Sequence, residues 1–429
     1  MTGHVLGALA LIVAVGHVCG RFAQRVRQPV VVGEIVAGIA LGPSLLGLVP
    51  GDLTERLLPE EIHPYLQVLA QLGLILFMFG IGYRFDGSHL RGQGRQVTAV
   101  SLASMALPFA LGAGLAWSMV PWFDRSQMKT DGVLTPALFL GAAMSVTAFP
   151  VLARIITERG LQKERIGHMS VACAAVQDFL AWSVLALVVA LANESGAGPL
   201  IGMAVWSALL LAGLVWLVRP ALTWLFSQED RWHAGSARVH SILIVGLLLS
   251  AWATDAIGLH AVFGAFAFGA AVPRHLVDAR APEIPERIEQ TSLFLLPVFF
   301  VVTGLSVDLG GLGGQGLVIL MAVLVTACVG KFIGAAGAAR LTGATGREAA
   351  TLGVLLNARG LTELVILNVG LGLGVLDGRL FTAMVTMALI TTVMTGPLLH
   401  HFHPPGREKP LDDAHPGDAL VEARSAGSP

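Results

Sequence analysis

SVACAAVQDFLAWSVLALVVAL, residues 170–191, is a run of apolar and small residues with one carboxylate, Asp178, beside Gln177. A helix needs about 20 predominantly apolar residues to cross the hydrocarbon core of a bilayer, so the run is long enough to span. An ionised residue at the centre of a span costs about 2.5–3.5 kcal/mol on insertion scales, so it is a functional candidate by default. At 1.5 Å per residue, Asp178 lies roughly 15 Å into its span, close to the midplane.

The rest of the chain agrees with a membrane setting. Of 429 residues, 55% are hydrophobic and only 13% charged, and the mean hydropathy is +0.74. Soluble domains carry about 25% charged residues, so the composition points to a polytopic membrane protein. The 51 glycines fit close helix packing in lipid. A net charge of −1 and the lack of a basic patch exclude a nucleic-acid partner. Cys19, Cys173 and Cys328 are far apart in apolar runs, which argues against a disulfide framework or a structural metal. The first 20 residues lack the basic start of a signal peptide and read as a retained first span.

Apolar runs near 20 residues predict 13 spans, at about 3–20, 29–50, 64–83, 97–121, 135–156, 168–192, 199–224, 239–255, 258–273, 289–307, 315–340, 349–373 and 379–400. Loops after odd-numbered spans, with the C-terminal tail, hold 20 Lys and Arg; loops after even-numbered spans hold 4. Strict alternation of this kind predicts an outside N-terminus and a cytoplasmic C-terminus. Spans 2 and 9, and the Gly-rich exits of spans 3 (80–87) and 10 (303–311), are alike at an offset of seven spans. An odd offset places the two copies in opposite directions, the inverted repeat of secondary transporters. Residues 404–429 are polar and rich in Pro and Gly and read as a disordered tail, with no second soluble domain expected. GLGLGVLDG, 370–378, follows no strand, so no dinucleotide loop and no cofactor are expected.

Three further places carry charge or disruption inside spans. Lys331 lies well inside span 11, and Arg359 and Glu363 lie mid-span 12 at an i,i+4 spacing that lets them pair. Span 5 contains Ser145, Thr147 and Pro150, where proline removes a helical hydrogen bond and clashes four residues back. The Asn-Ala-Arg-Gly run at 357–360 plays the same part in span 12. Spans 5 and 12 are again seven apart, and paired interrupted segments in inverted halves point to a midplane ion site. Each feature also has a plainer reading: Asp178 as a partner to a neighbouring helix, Pro150 as a kink, Lys331 as a snorkelling side chain, Arg359–Glu363 as a structural pair. Glu34 and Asp86 read as interfacial, and the scattered histidines (His17, His168, His240, His260) as packing or interfacial.

The strings SVTAFPVLARIITERG (145–160), AAVQDFLAW (174–182), GKFIGAAGAAR (330–340) and LLNARGLTELVILNVG (355–370) resemble the monovalent cation:proton antiporter family 2. That family includes bacterial sodium/proton and potassium/proton antiporters and the plant cation/proton exchangers. The resemblance runs through most of residues 5–400. It implies an all-α fold of about 13 transmembrane helices with two crossed discontinuous helices, in a bacterial inner membrane, working as a homodimer. It further implies a transmembrane unit, 1–403, with a core bundle at about 97–192 and 315–400. A scaffold and dimer part at about 3–83 and 239–307, and a linker helix at about 199–224, complete it. By resemblance, the ion-binding and proton-carrying Asp falls on Asp178 with Gln177 before it. The broken-helix positions fall on Ser145, Thr147, Ala148, Asn357, Arg359 and Glu363, and the basic residue on Lys331. Electrogenic members carry Asp-Asp where this chain has Gln177-Asp178, which leaves the partner of Lys331 open. The expected function is exchange of Na⁺ or K⁺ for H⁺ across the bilayer by alternating access, electroneutral with one carboxylate at the site. A proton-regulated K⁺ efflux channel is the alternative, with Asp178 setting selectivity only. No His-Glu-x-x-His or Gly-x-Ser-x-Gly string supports an intramembrane hydrolase, and the chain is not expected to be an enzyme.

Overall fold

A computed structural model describes residues 2–26, 28–48, 53–85, 92–119, 132–192, 198–227, 236–305 and 313–403. The fold is all-α, and its helices take the numbers of the expected spans. The first half holds α1 (Thr2–Arg25), α2 (Val30–Leu41), α3 (His63–Arg84), α4 (Gly94–Met119), α5a (Leu134–Ser145), α5b (Phe149–Glu158) and α6 (Arg165–Ala192). Next come α7a (Gly198–Gly213) and α7b (Arg219–Ser227), joined by a π-helical turn, Leu214–Val218. The second half holds α8 (Ser236–Ile257), α9 (Ala261–Ala271), α10 (Glu283–Leu305), α11 (Gly313–Leu341), α12a (Gly346–Leu356), α12b (Leu361–Gly372) and α13 (Gly378–Phe402).

Among the described residues, 10 helical stretches are long and apolar enough to cross a membrane. The exceptions are α2, α9 and the halves of α12. Span 2 is shorter than expected because Pro43 forces the residue before it out of the helical region. Gly42 accordingly sits at φ −87°, ψ −168°, and α2 stops at Leu41. Val272 before Pro273 ends α9 in the same way, at ψ 131°. The expected tail at 404–429, Asp86 and parts of the Gly-rich exits lie outside the described residues.

Two groups of helices pack side by side. In one, α3 lies against α9 and α10, α2 against α1 and α10, and α8 against α9. In the other, α4 lies against α11 and α5a, and α11 against α12a and α13. Lipid gives no hydrophobic drive to helix association, so close backbone approach matters. A Cβ added at Gly38 of α2 would lie 2.1 Å from the Val301 carbonyl oxygen of α10. The α2–α10 contact is thus backbone on backbone.

Candidate functional site

The helix breaks lie where the sequence places them, and the two interrupted segments meet. Pro150 sits in the first turn of α5b, where its missing N–H would have no helical partner anyway. Its ring excludes a helical carbonyl at Val146, so residues 146–148 run extended before it. Pro150 therefore starts a second half-helix and does not merely kink a continuous one. In α12 the break covers Asn357–Gly360. A Cβ at Gly360 would come 2.5 Å from Val151 Cγ2, so only glycine lets α12 pass α5b this closely. Across the gap, the Ala148 N–H donates to the Ala358 carbonyl at 3.1 Å. Thr147 Oγ1 lies 2.7 Å from both the Leu356 carbonyl and Gln177 Oε1, and its single proton serves one at a time. From α13, Thr392 Oγ1 accepts from the Arg359 N–H at 3.1 Å and lies 2.7 Å from the Arg359 carbonyl oxygen.

A helix leaves its last four carbonyls without helical partners. At the end of α5a, all four are taken by side chains. Ser145 Oγ donates to the Ala142 oxygen at 2.7 Å, and Arg359 Nη1 to the Ala143 oxygen at 3.2 Å. Arg359 Nη2 donates to the Met144 oxygen and Lys331 Nζ to the Ser145 oxygen. Two cations thus sit at the negative end of a helix dipole. Arg359 also pairs with Glu363 at 3.2 Å, with both side chains fully buried. Glu363 occupies the first turn of α12b, where a negative charge suits the dipole.

Gln177 supplies the partner of Lys331 that the sequence left open. Its Oε1 accepts from Lys331 Nζ at 2.9 Å, and its Nε2 donates to Ser104 Oγ at 2.8 Å. Lysine has donors only, so the amide oxygen must face it. Ser104 in turn donates to the Val100 carbonyl at 2.6 Å, which orients its lone pairs to the amide. Lys331 is fully buried within this network and does not snorkel.

Asp178 differs from its neighbours. It is 1% exposed, and neither carboxylate oxygen has a hydrogen-bond partner among the described residues. Lys331 lies close enough to act on this carboxyl electrostatically. Asn357 Oδ1, Arg359 Nε and Glu363 Oε2 are likewise buried without partners among the described residues. Ser145, Thr147, Ala148, Pro150, Gln177, Asp178, Lys331, Asn357, Arg359 and Glu363 are all buried. Hydrogen bonds run from α5 to α6, α11 and α12, and Asn357 is tied to Cys328 of α11 by a long 3.8 Å contact.

Several residues escaped the sequence reading. Ser104 and Thr392 carry no local signal, because single hydroxyls are common in spans. Glu34, expected at an interface, is buried on α2; Arg154, near the end of span 5, is buried on α5b. Arg154 binds Glu158 at 2.7 Å and approaches Glu34 at 3.7 Å, while Glu158 accepts from the Val30 N–H at 2.7 Å. The i,i+4 spacing of Arg154 and Glu158 was the available clue. His168 lies tilted against Phe85, 6.0 Å between centroids, and His260 caps α9.

The pattern described as "Sodium/hydrogen exchanger, transmembrane" matches residues 8–402. Among curated relatives, the Na(+)/H(+) antiporter NhaS4 of Synechocystis sp. is 38% identical over 406 residues, 93% of this chain and 97% of that protein. Cation/H(+) antiporter 20 of Arabidopsis thaliana is 37% identical over 93% of this chain and 48% of its own length. The K(+)/H(+) antiporter 1 of Saccharomyces cerevisiae is 33% identical over 89% and 44%. The chain therefore spans about half the length of the plant and yeast relatives. The sodium proton antiporter MjNhaP1 of Methanocaldococcus jannaschii shares the fold, with TM-score 0.65 at 15% identity over 93% of this chain and 96% of that one. With two crossed half-helix pairs around a buried acid and a match across nearly all of its helices, this membrane protein belongs to the sodium/hydrogen exchanger family.

Proposed function

We propose that the chain exchanges Na⁺ or K⁺ for H⁺ across a bacterial inner membrane, with Asp178 as the shared seat of proton and cation. The observation that carries this reading is a buried carboxyl, Asp178, with both oxygens unpartnered among the described residues, beside the broken helices and Lys331. Those oxygens are hard ligands of the kind an alkali cation prefers, and either one can hold a proton instead. A buried carboxylate that holds neither a proton nor a cation keeps two oxygens without a hydrogen-bond donor, since Lys331 donates to Ser145 and Gln177, and desolvating it so costs several kcal/mol. Only the loaded forms are then cheap to carry between the two access states, which makes the exchange obligatory.

Charge bookkeeping favours one cation per proton. Lys331 is held by a neutral amide and a carbonyl, and among the described residues no carboxylate is bonded to it to accept its proton. The site carries the same charge with H⁺ or Na⁺ on Asp178, so the cycle is electroneutral. The moving part is the group α4–α6 with α11–α13, the scaffold α1–α3 with α8–α10, and α7 the linker. The packing of the two groups supports this division. Across it lie the Phe149–Phe266 ring contact, 5.1 Å between centroids, and the Glu34–Arg154 approach. The scaffold face is also where a second copy would dock. The alternating loop charges support thirteen crossings with the N-terminus outside.

The test is reconstitution in liposomes with an imposed cation gradient, following lumenal pH and membrane potential together. Cation-driven proton movement without a voltage change is expected. Cation current without proton movement would favour a channel and overturn the reading.

A further inference from the structure

Loop charges account for most basic residues of this chain, but Arg219 lies inside span 7 and follows no loop. It begins α7b, and Pro220 follows it. Pro220 has no N–H to give and its ring displaces the carbonyl four residues back, at Trp216. The preceding turn, Leu214–Val218, widens into a π-helix, a device that often marks functional positions. Beside that turn lies a cavity of about 490 Å³, between α7 and helices α6, α8 and α9. Its walls are almost wholly apolar, among them Val176 and Phe179 of α6, Val215 of the π-turn, and Phe263 and Ala267 of α9; Arg219 also lines it. The Arg219 side chain is exposed and makes no hydrogen bond or ion pair among the described residues. Trp224, five residues on, is 65% exposed, as suits an aromatic at the membrane–water interface. Arg219 therefore sits about 8 Å deeper along the helix than this anchor.

We propose that this cavity binds an anionic phospholipid, with an acyl chain in the apolar space and its phosphate on the Arg219 guanidinium. A guanidinium matches phosphate oxygens with paired donors. An apolar wall beside a fixed positive charge suits neither Na⁺ nor K⁺, so the cavity is not the ion path. Val176 and Phe179 flank Gln177 and Asp178 in sequence, so the bound chain packs against the helix that carries the ion site.

The test is native mass spectrometry of the purified full chain with phosphatidylglycerol and phosphatidylcholine titrated in parallel. Wild type retains phosphatidylglycerol in preference. Arg219→Gln lowers that preference about fivefold, the worth of one guanidinium near an anionic surface. Ala267→Phe, which fills the cavity, lowers retention of both lipids. Equal retention of the two lipids by wild type, as for an adventitious annular lipid, overturns the proposal. So does an unchanged preference in Arg219→Gln, which decides the matter alone should Ala267→Phe fail to fold.

Discussion

Gln177 is the residue on which stoichiometry turns. Its amide meets Lys331 as a neutral acceptor, so in the proposed cycle no second acid shares a proton with the lysine whichever ion Asp178 holds. Gln177→Asp would set a second acid against Lys331 and add a titratable charge to the cycle. The expected result is voltage-sensitive exchange, read as a membrane potential generated by a cation gradient in liposomes. Arg359 is held differently, by two carbonyls and Glu363. Arg359→Met leaves Glu363 buried without its partner, a loss of about 3–5 kcal/mol. The unfolding midpoint in detergent should fall accordingly, and the double variant with Glu363→Leu should recover part of it.

At the scale of elements, the two broken helices were legible because their causes are local. Pro150 and the Asn-Ala-Arg-Gly run disrupt the backbone wherever they stand, and Arg359–Glu363 share a face by spacing alone. What stayed hidden was who satisfies the freed groups. Ser104 reaches Gln177 across 73 positions and Thr392 reaches Arg359 across 33, and no periodicity encodes such contacts. α2 and α9 are shorter than their apolar runs for a related reason: apolar residues continue past Gly42, but the residue before a proline leaves the helix. The interlock of α2 with α10 could not be read either, since a glycine among many does not reveal its neighbour. Gly38→Val drives a side chain into the Val301 carbonyl, which lies 2.1 Å from an added Cβ. Overpacking of this kind costs about 1–3 kcal/mol or more, and size-exclusion profiles should show a loss of monodisperse protein.

For the whole molecule, the proposed division into two helix groups and a linker would give one place where both groups can meet an ion. The ion cluster Glu34–Arg154–Glu158 ties α2 to α5b and must loosen or slide if the groups move. If protons compete with the cation for Asp178, as proposed, then at fixed cation the exchange rate should fall as pH drops on either side, and added cation should restore it. Rates taken over a matrix of pH and cation concentration check this. The most direct measurement compares wild type and Asp178→Asn in liposomes under a Na⁺ or K⁺ gradient, with lumenal pH as the readout. Asparagine keeps the shape but holds neither a proton nor a balanced cation, so no cation-driven pH change should remain. Undiminished exchange in Asp178→Asn would contradict the account, because the carrier would then lie elsewhere.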